Sequence, residues 1–150
     1  MIAVNWAHVH LMINHFPVIG IFLAIPLLLY GVQAKSEEIK KTGLGAFVLL
    51  ALLTIPVYFT GEAAGDFIKN KNLPGVTEGV IGSHEEAADL SLTLMEALGI
   101  ASLAGLFFAR RSGAVPKWLI VVVLIMSLAT AVVTGYTANL GGQIRHTEIR

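Results

Sequence analysis

Four long apolar runs constrain this chain more than any motif does. They cover Leu11 to Gln33, Leu44 to Thr60, Leu90 to Ala109 and Trp118 to Ala138. A hydrocarbon core of about 30 Å is crossed by roughly 20 helical residues, so each run is a candidate span. In lipid every backbone N–H and C=O must find its partner inside the protein, which makes helices the expected form. The sequence therefore predicts an all-α integral membrane protein, a four-helix up-and-down bundle that makes a single domain of residues 1–150. With 55% hydrophobic and 13% charged residues the composition is far from that of a soluble globule. Pro17, Pro26 and Pro56 lie inside the runs, where a missing donor kinks a helix unless its neighbours cover the freed carbonyl. No Lys or Arg precedes the first run, and it is longer than a usual signal-peptide core, so it is expected to stay in the mature protein.

Charge gives the runs an orientation. The two short connections are basic, with Lys35, Lys40 and Lys41 in one and Arg110, Arg111 and Lys117 in the other, and both must lie on the same side. The opposite side carries Lys69, Lys71, Arg145 and Arg150, so six cations face four. The positive-inside rule then places both short loops in the cytoplasm. Both termini and the long Gly61 to Ser83 connection are expected on the periplasmic side of a bacterial inner membrane. Trp6 and Trp118 suit opposite interfacial belts. Within the long connection, Lys69 to Gly75 reads as a turn, and Ser83 followed by Glu86 forms a capping box that would start the third helix at His84. Thr60-Gly61-Glu62-Ala63-Ala64 has a weak echo in Thr134-Gly135-Tyr136-Thr137-Ala138, compatible with two similar hairpins.

The formal net charge is zero, which offers no basic footprint for nucleic acid. There is no cysteine, so thiolate zinc sites, iron–sulfur clusters and c-type haem attachment are excluded, and a metal would be held by His, carboxylate or Met. All five histidines fall on the predicted outer side: His8, His10 and His15 open the first helix, His84 opens the third and His146 follows the fourth. The first and third helices are diagonal in such a bundle, so His10 or His15 can face His84 across its axis. Bis-histidine ligation of a flat b-type haem needs this opposition, with room that Gly20, Gly61, Gly99 and Gly135 can provide. His8 and His15 share a helix face while His10 points away from His15, so the three cannot serve one metal. The expected axial pair is His15 and His84, with His10 and His146 as second-site or supporting ligands. That set suffices for one haem b and at most two. The plainer reading is that interfacial histidines hydrogen-bond headgroups or loop carbonyls.

Three segments together carry a resemblance. His10-x4-His15-Phe16-Pro17, His84, and Leu140-Gly141-Gly142 followed by Arg145-His146 are similar to a family of small, poorly characterised four-helix bacterial membrane proteins. The pattern spans nearly the whole chain. Members of that family are sometimes joined to a Rieske-type iron–sulfur domain, which implies redox work at the outer membrane face. This chain has no Rieske cysteines, and it differs in its Glu85-Glu86 pair beside His84 and its Thr-Glu-Ile after His146.

Carboxylates supply the alternative. Glu62, Asp66, Glu85, Glu86, Asp89 and Glu148 share the outer region with the histidines, a mixture that suits non-haem iron, zinc or copper. Neither HExxH nor Glu-x-x-His is present, so the zinc-protease and di-iron spacings are missing. The bland reading is a solvated loop and acids at a helix N-terminus. Glu96 stands apart, since Leu94, Met95, Ala97 and Leu98 surround it in the third span and an acid at membrane depth is costly. Glu85, Asp89 and Glu96 fall near one helical face, so Glu96 is the candidate catalytic residue of a proton path from the outer surface; otherwise it is a protonated acid bonding between helices. Gly99, Ala101, Ser102, Ala104 and Gly105 form a small-residue stripe suited to close packing of another helix.

Two functions follow as expectations. The first is a membrane-bound b-type cytochrome or redox subunit passing electrons between the quinone pool and a periplasmic redox protein. It would be an electron-transfer subunit and not a stand-alone enzyme. The second is a structural or assembly subunit of a larger membrane complex, with a non-haem metal or none. No catalytic triad, phosphate loop or dinucleotide fingerprint points to a hydrolase, kinase or dehydrogenase.

Overall fold

The computed structural model describes residues 5–71 and 76–145. They are helical nearly throughout, in five segments: α1 Trp6–Ile13, α2 His15–Gln33, α3 Glu37–Lys71, α4 Glu78–Ser112 and α5 Lys117–Arg145. Four helices are long and apolar enough to cross a membrane, the first being α1 and α2 taken together over Trp6–Gln33.

The break between α1 and α2 has a covalent cause. Pro17 has no N–H to give the carbonyl of Ile13, and its ring crowds that carbonyl. Ile13 is the last residue of α1, and Asn14 is the single turn residue before α2 begins at His15. Pro17 then sits in the first turn of α2, where its missing donor is one of the unpaired N–H groups a helix start has anyway. Pro26 and Pro56 lie within α2 and α3 without ending them.

The spans pack in a ring in chain order: α2 on α3, α3 on α4, α4 on α5, and α5 back on α2, with α1 lying on α3. Among the described residues the diagonal helices make no close backbone approach. Ile21, Leu28, Leu44, Phe47, Met95, Leu98 and Val123 fill the centre with no exposed surface. Leu23, Ile100, Ile125 and Val132 point outward, each more than 60% exposed. In water that would be an aggregating surface; in a bilayer it is the face lipid tails solvate. Because tails are as apolar as leucine, close packing holds the helices together. A Cβ at Gly99 would lie 2.5 Å from the Ala51 Cβ, and one at Gly105 would lie 2.8 Å from Leu44 Cδ1. The small-residue stripe of α4 is thus used at Gly99, Gly105 and the fully buried Ser102 inside the bundle, because that face already meets α3 and α5.

Both short loops lie at the same end. The Val115 N–H donates to Glu37 Oε2 at 2.9 Å, tying the start of α5 to the start of α3. Gly113 closes α4 with φ of 83°, the left-handed conformation that costs a residue without Cβ least.

At the opposite end the helices overrun the bilayer. Twenty uncharged residues, 42–61, lie between Lys41 and Glu62 of α3, enough for about 30 Å. The whole helix has 35 residues, roughly 50 Å. Its last turns and the first turns of α4 form a projecting hairpin in which Lys69 Nζ reaches Glu85 Oε1 at 2.8 Å, and below it, within the apolar stretch of α3, Tyr58 Oη donates to Asp89 at 2.6 Å. The capping-box reading is corrected here. α4 begins at Glu78, with the Thr77 side chain accepting from Val80 N–H, and Ser83 lies inside the helix donating to the Gly79 carbonyl. Thr77, not Ser83, is the local cap of this extension, and the buried Ile81 packs it toward Gly65 of α3. The Lys69 to Gly75 turn is likewise helix as far as Lys71, and its remainder lies outside the described residues.

Candidate functional site

α1 and α4 each present one histidine to the bundle axis at the end that carries the termini. The His10 and His84 ring centroids are 6.5 Å apart, with ring planes at 77°. Both side chains are half-buried, and each is fixed by a helix it does not belong to. His10 Nδ1 lies 3.1 Å from the Val57 carbonyl of α3, with Thr60 Oγ1 at 3.3 Å. His84 Nδ1 lies 3.0 Å from the Thr137 carbonyl of α5. A carbonyl oxygen only accepts, so Nδ1 carries the proton in both rings, and in the neutral imidazole Nε2 keeps its lone pair.

Glycine makes these contacts possible. A Cβ at Gly61 would fall 3.0 Å from His10 Cε1, and one at Gly141 would fall 3.0 Å from His84 Cε1. A helical side chain leans toward the N-terminus and covers the turn before it. Val57 precedes Gly61 by four residues and Thr137 precedes Gly141 by four. Each glycine therefore bares the carbonyl that the opposing imidazole takes as partner. The internal repeat is real at this level but differs in register from the sequence echo. Gly61 has its counterpart in Gly141, not in Gly135, because what recurs is a histidine seat and not a string of letters.

The structure brings His10, not His15, to His84. His15 is exposed on the outer surface of α2, its Nδ1 3.0 Å from the Leu11 carbonyl of its own chain segment, and His8 is also exposed. The turn at Asn14 separates the two helix faces. His146 and Glu148 lie outside the described residues. Among the described residues no three His, Asp or Glu side chains converge to hold a metal ion, and the outer acids are engaged or exposed, Glu85 by Lys69 and Asp89 by Tyr58.

Glu96 lies on the α4 face that carries Glu85, Asp89 and Gly99, residues that meet Lys69, Tyr58 and Ala51 of α3. Its Oε1 is buried without a hydrogen-bond partner. Asn14 Oδ1 and Ser102 Oγ share that state, and Ser91 and Thr134 are hydrogen-bonded to each other at 2.9 Å. The interior below the histidine pair is therefore partly polar. Sequence reasoning missed Val57, Thr137 and Gly141 as parts of the site. The carbonyls have no sequence signal, while Gly141 stood in the Leu140-Gly141-Gly142 motif without being read as a histidine seat.

No family model, no curated protein and no solved structure matches this chain.

Proposed function

We propose that this protein is a membrane-bound b-type cytochrome or redox subunit whose haem b is held by His10 and His84, passing electrons between the quinone pool and a periplasmic redox partner. The observation that carries the proposal is the pair of imidazoles from diagonal spans, with ring centroids 6.5 Å apart and planes at 77°. Metal–imidazole bonds are about 2 Å long, so two rings clamping one iron from opposite sides have centroids a little over roughly 6 Å apart. The observed 6.5 Å fits. Two imidazoles alone do not saturate an ion that takes four to six donors, but they complete one that brings four nitrogens of its own. A porphyrin iron bound there would supply one-electron chemistry. The protein's part is positional: Val57 and Thr137 fix the tautomer and orientation of the two rings, and their carbonyls raise the donor strength of Nε2.

The orientation of this reading is periplasmic for both termini, in a bacterial inner membrane, from the basic short loops. Glu96, with Glu85 and Asp89 above it along the α3–α4 seam, serves as the proton relay; an unpartnered buried carboxyl oxygen is what a mobile proton or a water molecule requires. The second reading is a structural or assembly subunit of a membrane complex with a non-haem His/carboxylate metal or no cofactor. Optical spectra of the purified protein, oxidised and dithionite-reduced, decide between them. A Soret band with a sharp low-spin α band is expected. A colourless protein made with ample haem would overturn the haem reading, and metal analysis of that sample would test the other.

A further inference from the structure

The seam between α2 and α5 is the most open of the four. It holds an apolar groove of about 470 Å³ facing the lipid, lined by Phe22, Ile25 and Pro26 from α2 and by Leu128, Val132 and Gly135 from α5. Gly135 keeps it open, since a Cβ there would meet only Phe22 Cζ, at 3.7 Å. His15, Phe22 and Pro26 are seven and eleven residues apart, which places them on one helical stripe. His15 thus stands at the outer end of the groove, about 10 Å along the helix axis from Phe22. Asn139, four residues beyond Gly135, is exposed at the same end of α5.

His15 is unusual in its setting. Leu11, Met12, Phe16 and Ile19 around it are all more than 40% exposed, a lipid-facing surface on which an imidazole has no apolar role. With Nδ1 committed to the Leu11 carbonyl, Nε2 of this exposed ring is left as a hydrogen-bond acceptor. A polar acceptor set above an apolar furrow matches an amphiphile with a donating head and a long hydrocarbon tail. We infer that His15 and the α2–α5 groove bind a prenylated hydroquinone, its head hydroxyl donating to His15 Nε2 and its tail lying between Phe22, Pro26, Leu128 and Val132. The inference rests on the redox reading for the choice of hydroquinone over other amphiphiles. His15 follows His10 by five residues across the Asn14 turn, so the bound head would lie at the same end of the bundle as the proposed haem ligand.

The test is photolabelling of the full chain in phospholipid nanodiscs with a short-chain ubiquinol that carries a diazirine in its tail, followed by peptide mapping. Cross-links are expected in residues 18–29 and 128–136, displaced by decyl-hydroquinone and not by a fatty alcohol of equal length. His15→Leu should weaken labelling roughly fivefold to tenfold, the value of one hydrogen bond in a dry setting, while His8→Leu leaves it unchanged. Gly135→Leu, whose side chain enters the groove, should abolish the tail cross-links. Equal labelling of the His15→Leu variant, or equal displacement by the fatty alcohol, would overturn the inference. A haem spectrum without selective labelling refutes this site alone; selective labelling without a haem spectrum refutes the cytochrome reading alone.

Discussion

His10 and His84 come from diagonal helices and meet with ring centroids 6.5 Å apart, each held through Nδ1 by a backbone carbonyl of a third or fourth helix. All four spans therefore take part in one site, and the two imidazoles are set by backbone atoms that point mutation cannot delete. This arrangement makes the ligand assignment sharply testable.

If the proposed haem is bound, alanine at His10 or His84 should abolish the low-spin spectrum or convert it to high spin, because each ring would then be one of two axial donors. Alanine at His8 or His15, both exposed, should leave it intact. Reduced-minus-oxidised difference spectra of the four variants check this, and loss of the spectrum in His15→Ala with its retention in His10→Ala would restore the pairing expected from sequence.

The glycine seats predict a sign. In an open helix interior Gly→Ala stabilises by up to about 1 kcal/mol through backbone entropy. A methyl added at Gly45 or Gly82 would meet nothing within 4 Å, so alanine at either should raise or hold the melting temperature in detergent. At Gly61 and Gly141 the added methyl would press on a histidine ring at 3.0 Å. There Gly→Ala should lower stability by about 1 kcal/mol or more and weaken the spectrum as well. A stabilised Gly61→Ala variant with unchanged spectrum would show that the ring has room.

Topology is tested by single cysteines at Ser36 and Ser112 in a chain that has none of its own. Neither should react with a membrane-impermeant thiol reagent in intact spheroplasts, and both should react after permeabilisation. Labelling of both without permeabilisation would reverse the orientation.

Glu96→Gln keeps shape and hydrogen-bonding capacity while removing ionisation. Quinol-linked turnover should fall and lose its pH dependence, with the melting temperature little changed. Full activity across pH in this variant would remove Glu96 from the proton path and leave it a packing residue.

Much of this molecule was legible from its residues. Uncharged runs of bilayer length identify the four spans, since an unpaired backbone in lipid leaves no choice but helix. Two short loops make antiparallel neighbours, and an up-and-down bundle puts the first and third spans on a diagonal, where histidines at corresponding ends can face each other. What only the tertiary structure decided is which histidine does so. His10 and His15 differ by five residues, and the choice between them depends on a one-residue turn at Asn14 and on a carbonyl laid bare by Gly61 in another helix. The start of α4 at Glu78 was different, a local signal passed over, since Thr77 caps it by accepting from the Val80 N–H. Local periodicity records how far along the axis a side chain lies; the neighbour that seats it is a long-range contact, and helix packing alone supplies that.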